Sequence, residues 1–158
     1  MDFITDLPPA DGYDSLLTVV DQGLSKGVIL IPTTKTVTAE ETGQLLLDNL
    51  YKRFGLPDKM ISDRGPQFAA RSFQELLKLL GIKSALTTAY HPQSDGTTER
   101  VNQEIEAYLA IYCHSHPETW KQSLSTLEFT HNNRRHAETE DTFRTHPRRF
   151  PHFHSNVI

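Results

Sequence analysis

Two apolar, β-branched runs near the amino terminus constrain the fold most: Leu16-Leu17-Thr18-Val19-Val20 and Val28-Ile29-Leu30-Ile31. Each has the length of a buried strand. Asp21-Gln22-Gly23 lies between them and supplies the residues of a reversal, so the pair is expected to form a hairpin. Met1–Thr5 reads as a further short strand, separated from the hairpin by the loop Pro8-Pro9-Ala10-Asp11-Gly12. A sheet therefore starts the chain.

Helices then alternate with brief strands. Thr38 and Glu41 stand at capping-box spacing, and Gly43, Leu46, Leu47, Leu50 and Phe54 follow at helical intervals until Gly55-Leu56-Pro57. Lys59-Met60-Ile61-Ser62 predicts a strand. Ser72 and Glu75 repeat the capping-box spacing ahead of a stripe of Phe73, Leu76, Leu77 and Leu80. Ile82–Thr87 predicts another strand. A long helix is expected from Asp95 to about His114, with Val101, Ile105, Tyr108, Leu109 and Tyr112 on its core face. Pro117 and Trp120 open a last helix carrying Leu124, Leu127 and His131 on one side. Three leading strands followed by alternating units imply an α/β fold, a mixed sheet with helices on both faces.

With 158 residues, 37% hydrophobic and 23% charged, the chain suits one domain with a real core. No apolar run reaches the length of a membrane span, the opening residues do not read as a signal peptide, and the single cysteine excludes an internal disulfide. A soluble intracellular domain with no membrane partner is the expectation. Charge is uneven: residues 1–130 carry a net of −6, whereas residues 131–158 carry +2 and 5 of the 8 histidines. An acidic body argues against binding phosphates by bulk charge alone and suits carboxylates gathered around a metal. Beyond residue 136 the periodic pattern fails, so residues 1–136 read as the domain and 137–158 as an irregular, disordered tail.

Three acids stand out by context. Asp2 interrupts an apolar strand; Asp63 ends a strand and enters Arg64-Gly65-Pro66-Gln67-Phe68; Glu99 falls in the first turns of the long helix. Hard divalent cations take oxygen ligands, and one or two carboxylates per ion suffice when a phosphate supplies the rest. Two such ions roughly 4 Å apart can activate an attacking oxygen and stabilise a departing one in phosphoryl transfer. Asp21 is a rival ligand. Asp11, Asp14, Asp58 and Asp95 read as turn or cap acids, and Glu104 and Glu106 as solvated helix residues. Cys113-His114 with His116, and His152 with His154, have short metal-like spacing but too few partners for a zinc site.

Asp2-Phe3-Ile4-Thr5-Asp6-Leu7-Pro8, Ile61-Ser62-Asp63-Arg64-Gly65-Pro66-Gln67-Phe68, and Tyr90-His91-Pro92-Gln93-Ser94-Asp95-Gly96-Thr97-Thr98-Glu99-Arg100-Val101-Asn102 together resemble the integrase catalytic core of Ty3/Gypsy-type long-terminal-repeat retrotransposons, within the retroviral integrase superfamily. The family pattern is two aspartates and a glutamate with 35 residues between the last two, which Asp63 and Glu99 match. The resemblance implies a ribonuclease H-like fold whose mixed sheet is five-stranded, with the first strand cut short at Met1. It implies catalysis and metal ligation by Asp2, Asp63 and Glu99, with two Mg²⁺ or Mn²⁺ ions in the active complex.

The implied activity is that of a polynucleotidyl transferase: 3′-end processing of the element's DNA, then strand transfer into a target. Arg64, His91, Gln93, Arg100 and Asn102 are the implied nucleic-acid contacts, with Asn102 one turn after Glu99 and able to hold substrate or carboxylate. Element-end and target DNA are the implied partners, with RNA a further candidate. A homo-oligomer is implied for the full-length form, and the nucleus, or otherwise the cytoplasm, as the location. The basic stretch from Arg134 to Arg149 is a further candidate for nucleic acid. Several features depart from the family. Gln103 and Glu106 are not basic, Thr97 replaces a common glutamine, and the flanking zinc-binding and DNA-binding modules are missing. The alternative is therefore a catalytically inactive retroelement remnant acting only as a nucleic-acid-binding or interaction domain. A ribonuclease H-type nuclease would share the fold but not the wording around Asp63 and Glu99.

Overall fold

Side-chain alternation along one central strand divides the molecule into two cores. A computed structural model describes residues 1–23, 25–87 and 92–133, with backbone alone at 92–97 and 112. Strands β1 (Asp2–Ile4), β2 (Ser15–Val20) and β3 (Val28–Thr33) form an antiparallel sheet in that order. Asp2 stands opposite Thr18, and Thr18 opposite Leu30. Because successive strand residues face opposite ways, Leu17 and Val19 join one core with Met1, Ile29, Leu46, Leu50, Phe68 and Phe73. Leu16 and Val20 join the other with Ile4, Val28, Ile105, Leu109, Trp120 and Leu124.

The first core is covered by helices between β3 and β5. Helix α1 (Ala39–Leu46) starts with the expected capping box: Glu41 N–H donates to Thr38 Oγ1 at 3.2 Å, and Thr38 N–H to the Glu41 carboxylate at 2.8 Å. It runs through a π turn (Leu47–Tyr51) into the short α2 (Lys52–Phe54). The π turn shifts the helical phase, so Leu46 and Leu50 are fully buried while Leu47, expected on the same stripe, is exposed. Gly43 permits a close approach, since a Cβ there would lie 2.8 Å from Leu76 Cδ2.

The second expected capping box does not form. After β4 (Lys59–Ser62), α3 (Pro66–Ala69) leads almost directly into α4 (Arg71–Leu79), which leaves Ser72 inside the helix rather than at its cap. Glu75 instead pairs with Arg71 Nε at 2.7 Å. Phe73 and Leu77 face the core as the stripe requires.

The single five-stranded sheet expected from the resemblance is divided in two. β4 pairs in parallel with β5 (Lys83–Leu86), apart from the three-stranded sheet. The join is a hydrogen bond from the Met1 amino group to Ile61 O at 2.8 Å, running from the start of β1 to β4.

The second core is covered by α5 (Pro92–Tyr112) and α6 (Trp120–Asn132), so helices do lie on both faces. A 3₁₀ turn (Pro117–Thr119) leads into α6. Edge strands need protection, and α6 closes β3 with two side chains one turn apart. Asn132 accepts from Val28 N–H at 2.7 Å and donates to Val28 O at 2.8 Å; Glu128 accepts from Leu30 N–H at 3.0 Å. The next outward position is Pro32, which has no N–H to satisfy. Burial raises the Glu128 carboxyl above the ordinary carboxylate range, partly offset by the Leu30 N–H and by Arg53. The proposed tail, 137–158, lies outside the described residues.

Candidate functional site

Asp2 belongs to the face of β1 that meets α5, because it shares the alternation of Ile4, a member of the second core. Its Oδ1 accepts the Phe3 N–H at 2.8 Å and its Oδ2 accepts the Asn102 amide at 2.8 Å. The Asn102 bond spans 100 residues and pins α5 to the first strand.

Asp63 reaches the same region from the other sheet. It follows the last residue of β4, whose carbonyl accepts Thr87 N–H at 2.8 Å. Its Oδ1 accepts Gly65 N–H at 2.9 Å, and a Cβ at position 65 would lie only 3.0 Å from that oxygen. Glycine thus lets the loop turn tightly over the carboxylate before Pro66 starts α3. Asp2 and Asp63 line one cleft of about 240 Å³, together with Thr5, Lys35, Gly65 and Gln67.

Glu99 is not brought into the lining of that cleft. It is exposed on α5, three residues before Asn102 and so on the same helical face, one turn nearer the start. Among the described residues no three His, Cys, Asp or Glu side chains gather closely enough to hold a metal. Arg64 and Arg100 are exposed. His91 lies outside the described residues; Gln93 is in α5, but its side chain is not described.

The rival ligand has another task. Asp21 is fully buried and accepts Gly23 N–H at 2.8 Å, Ser25 N–H at 3.0 Å and the Ser25 hydroxyl, so its carboxylate shapes the β2–β3 turn. Beside it, Gln22 donates to Thr98 Oγ1 at 3.2 Å and ties that turn to α5 near Glu99.

Glu104 corrects the reading of a solvated helix residue. Its Oε2 lies 3.5 Å from Nδ1 of His131, which is buried between α5 and α6 and whose Nε2 is 3.3 Å from Lys26 O. Burial pulls this imidazole below its ordinary value, with the Lys26 carbonyl opposing. The signal was tertiary, with nothing in the spacing to reveal it. Lys35 was also missed: it stands on the cleft wall and pairs with Asp6 at 2.5 Å, which raises the lysine and lowers the aspartate. Cys113 is buried 3.8 Å from Ser123 Oγ, and His116 pairs with Glu118 at 3.4 Å, consistent with structural roles.

The donor chemistry suits a hard divalent ion. Two carboxylates share one cleft, and each is held by a hydrogen bond that leaves it oriented rather than buried. The third acid, Glu99, stands outside that cleft.

The integrase core domain family matches residues 1–92. The Transposon Tf2-3 polyprotein of Schizosaccharomyces pombe is 37% identical over 142 residues, covering 90% of this chain and 11% of that protein. The chain thus spans about a tenth of the length of the curated relatives it matches. The simian T-cell lymphotropic virus intasome, solved in complex with PP2A regulatory subunit B56 gamma, aligns at TM-score 0.69 and 25% identity over 87% of this chain and 50% of that one. The catalytic core domain of BIV integrase aligns at TM-score 0.64 and 26% identity over 86% of each chain. The HTLV-2 integrase catalytic core domain in complex with magnesium aligns at TM-score 0.61 and 24% identity over 82% of this chain and 81% of that one.

The fold is accordingly that of integrase catalytic cores, the ribonuclease H-like class. This chain belongs to the integrase core domain family, in its Ty3/Gypsy-type retrotransposon branch.

Proposed function

We propose that the chain is the metal-dependent catalytic core of a retroelement integrase, acting in 3′-end processing and strand transfer. In the first step a water oxygen joins a phosphorus of the element's DNA as the bond to the 3′ oxygen breaks, and that oxygen leaves protonated as the 3′ hydroxyl. In the second step the oxygen of this hydroxyl joins the phosphorus of a target phosphodiester as the bond to the target strand's own 3′ oxygen breaks; the attacking hydroxyl gives up its proton and the departing oxygen leaves protonated as a new 3′ hydroxyl. The observation that carries the reading is that Asp2 and Asp63, from separate sheets, line one cleft while Asn102 of α5 holds Asp2.

Asp2 and Asp63 would hold the first Mg²⁺ or Mn²⁺, and Glu99 would complete the two-ion site. When bound, such ions supply Lewis-acid activation of the attacking oxygen and charge neutralisation of the departing one. The remaining work belongs to the chain. Asn102 orients the Asp2 carboxylate, and the Gly65 N–H orients Asp63. Arg64 and Arg100 contact phosphates, and His91 and Gln93 are the further DNA contacts of this reading. The HTLV-2 core that shares the fold is described with magnesium, and the simian virus neighbour as an intasome. In keeping with these, we assign element-end and target DNA as partners and a homo-oligomer as the full-length form; RNA as a secondary partner and the nucleus as the location are further parts of the proposal. The Met1–Ile61 bond supports treating the two sheets as one five-stranded unit in the functional assembly. We assign residues 1–136 to this core and 137–158 to its tail.

The purified chain should nick supercoiled plasmid DNA in Mn²⁺ and stop when the metal is chelated. Nicking that persists in chelator overturns a metal-dependent mechanism. The second reading, an inactive remnant that only binds nucleic acid or a partner, is favoured by Glu99 standing outside the cleft. It predicts DNA retention with no nicked product at any Mn²⁺ concentration.

A further inference from the structure

Behind Asp2 the structure buries two polar atoms that have no partner among the described residues: Thr18 Oγ1 and Asn102 Oδ1. Thr18 is completely buried and Asn102 is 8% exposed. Burying a hydroxyl or an amide oxygen without a hydrogen bond is unfavourable, so a pair of such atoms in one place calls for a physical explanation.

Their positions supply one. Thr18 is the ladder partner of Asp2, so the two side chains project from the same face of adjacent strands. That face is the one that meets α5, because Leu16 and Val20, on either side of Thr18 in the alternation, pack with Val101 and Ile105. Asn102 lies between those two helix residues and already donates its Nδ2 to Asp2 Oδ2 at 2.8 Å. Both unpartnered oxygens therefore belong to the layer between β1–β2 and α5, next to the same carboxylate. Enclosed apolar cavities stay dry, whereas a site with several polar partners holds an ordered water.

We propose that a single buried water bridges the Thr18 hydroxyl and Asn102 Oδ1, and that Thr18 is thereby a positioning residue for the Asp2 carboxylate. The inference rests on the reading of Asp2 as a metal ligand. The two ends of the Asn102 amide have nearly the same shape but opposite hydrogen-bonding character. Asp2 requires the donor end; a reversed amide would set its oxygen against the carboxylate. The Thr18 hydroxyl donates to the water and the water donates to Asn102 Oδ1, which satisfies both orphaned oxygens. The Asp2 carboxylate, which only accepts, selects the donor end of the amide, and the bridge holds the amide in the position that keeps Nδ2 directed at Asp2. Partners behind a metal ligand act in this way, by fixing the ligand's direction and its basicity.

Thr18→Val tests the proposal, because valine keeps the shape and removes only the hydroxyl. The full chain, Thr18→Val, Thr18→Ser and Asp2→Asn are compared by Mn²⁺ calorimetry and by melting without metal. Thr18→Val is expected to raise the Mn²⁺ Kd by about tenfold and to lower the melting temperature of the metal-free protein, and Thr18→Ser to restore both. Were the hydroxyl an idle buried group, valine would relieve its desolvation, so the melting temperature would rise. A rise in melting temperature overturns the proposal, as does an unchanged Kd in Thr18→Val where Asp2→Asn weakens binding. If Asp2→Asn leaves Mn²⁺ binding unchanged, the metal-ligand reading of Asp2 is what fails. The sign of the Thr18→Val melting shift then decides the water bridge alone.

Discussion

Replacing Asp63 with Asn is expected to lower Mn²⁺-dependent plasmid nicking by on the order of 10²–10³-fold, the size of effect seen when one charge-stabilising group is removed from an active site. The melting temperature without metal should barely move. The two effects separate because of where Asp63 sits. Its side chain is exposed, its Oδ1 accepts Gly65 N–H at 2.9 Å, and the asparagine oxygen can accept that bond equally well. What asparagine cannot supply is the negative charge that a hard cation requires in the cleft shared with Asp2. A metal-dependent nicking rate that is equal in wild type and Asp63→Asn would refute the assigned role. A variant that loses activity only because it unfolds would show itself in the melting curve.

Trp120→Ala should have the largest effect on stability, a loss of about 3–5 kcal/mol, the range for a large aromatic removed from a core. Trp120 is 1% exposed at the start of α6 and packs with Leu16, Ile105 and Leu124, while its Nε1 donates to Pro8 O at 2.6 Å. It therefore fastens the loop after β1 to the helix that closes the β3 edge. Domains of this kind are stable by only about 5–15 kcal/mol in total, so the variant should melt far below wild type or remain insoluble. Trp120→Phe keeps most of the apolar surface and leaves the Pro8 carbonyl without its donor, at a cost of about 1–3 kcal/mol. Thermal melts by circular dichroism measure both. An alanine variant within a few degrees of wild type would mean that the second core does not depend on this residue.

How much of this was legible in the sequence depends on whether the information was local. The Asp21 turn, the Thr38–Glu41 cap and Val101, Ile105, Tyr108 and Leu109 on the core face of α5 were all readable, because each is decided by residues within a turn or two. The side chain of Tyr112, expected on the same face, lies outside the described residues. Leu47 was misplaced because a π turn inserts a residue into the helical phase, and no composition signal marks it. Ser72–Glu75 had the right spacing for a cap but lay one residue inside a helix that begins at Arg71, directly after α3. The carboxylate motifs were legible as wording, yet their convergence was not. That Asp2 and Asp63 share a cleft while Glu99 does not depends on how α5 docks against β2, through contacts such as Gln22–Thr98. Glu104 was read as solvated for the same reason, since its partner His131 comes from α6.

The most direct measurement is a calorimetric Mn²⁺ titration of the chain beside the Asp2→Asn, Asp63→Asn double variant, each followed by a melt in metal. The wild-type chain should bind with heat, and at a hundredfold excess over Kd should gain about 2.7 kcal/mol of stability by mass action; the double variant should show neither. Indistinguishable titrations and melts for the two proteins would mean that no divalent ion sits between these aspartates, and the enzymatic account would be wrong.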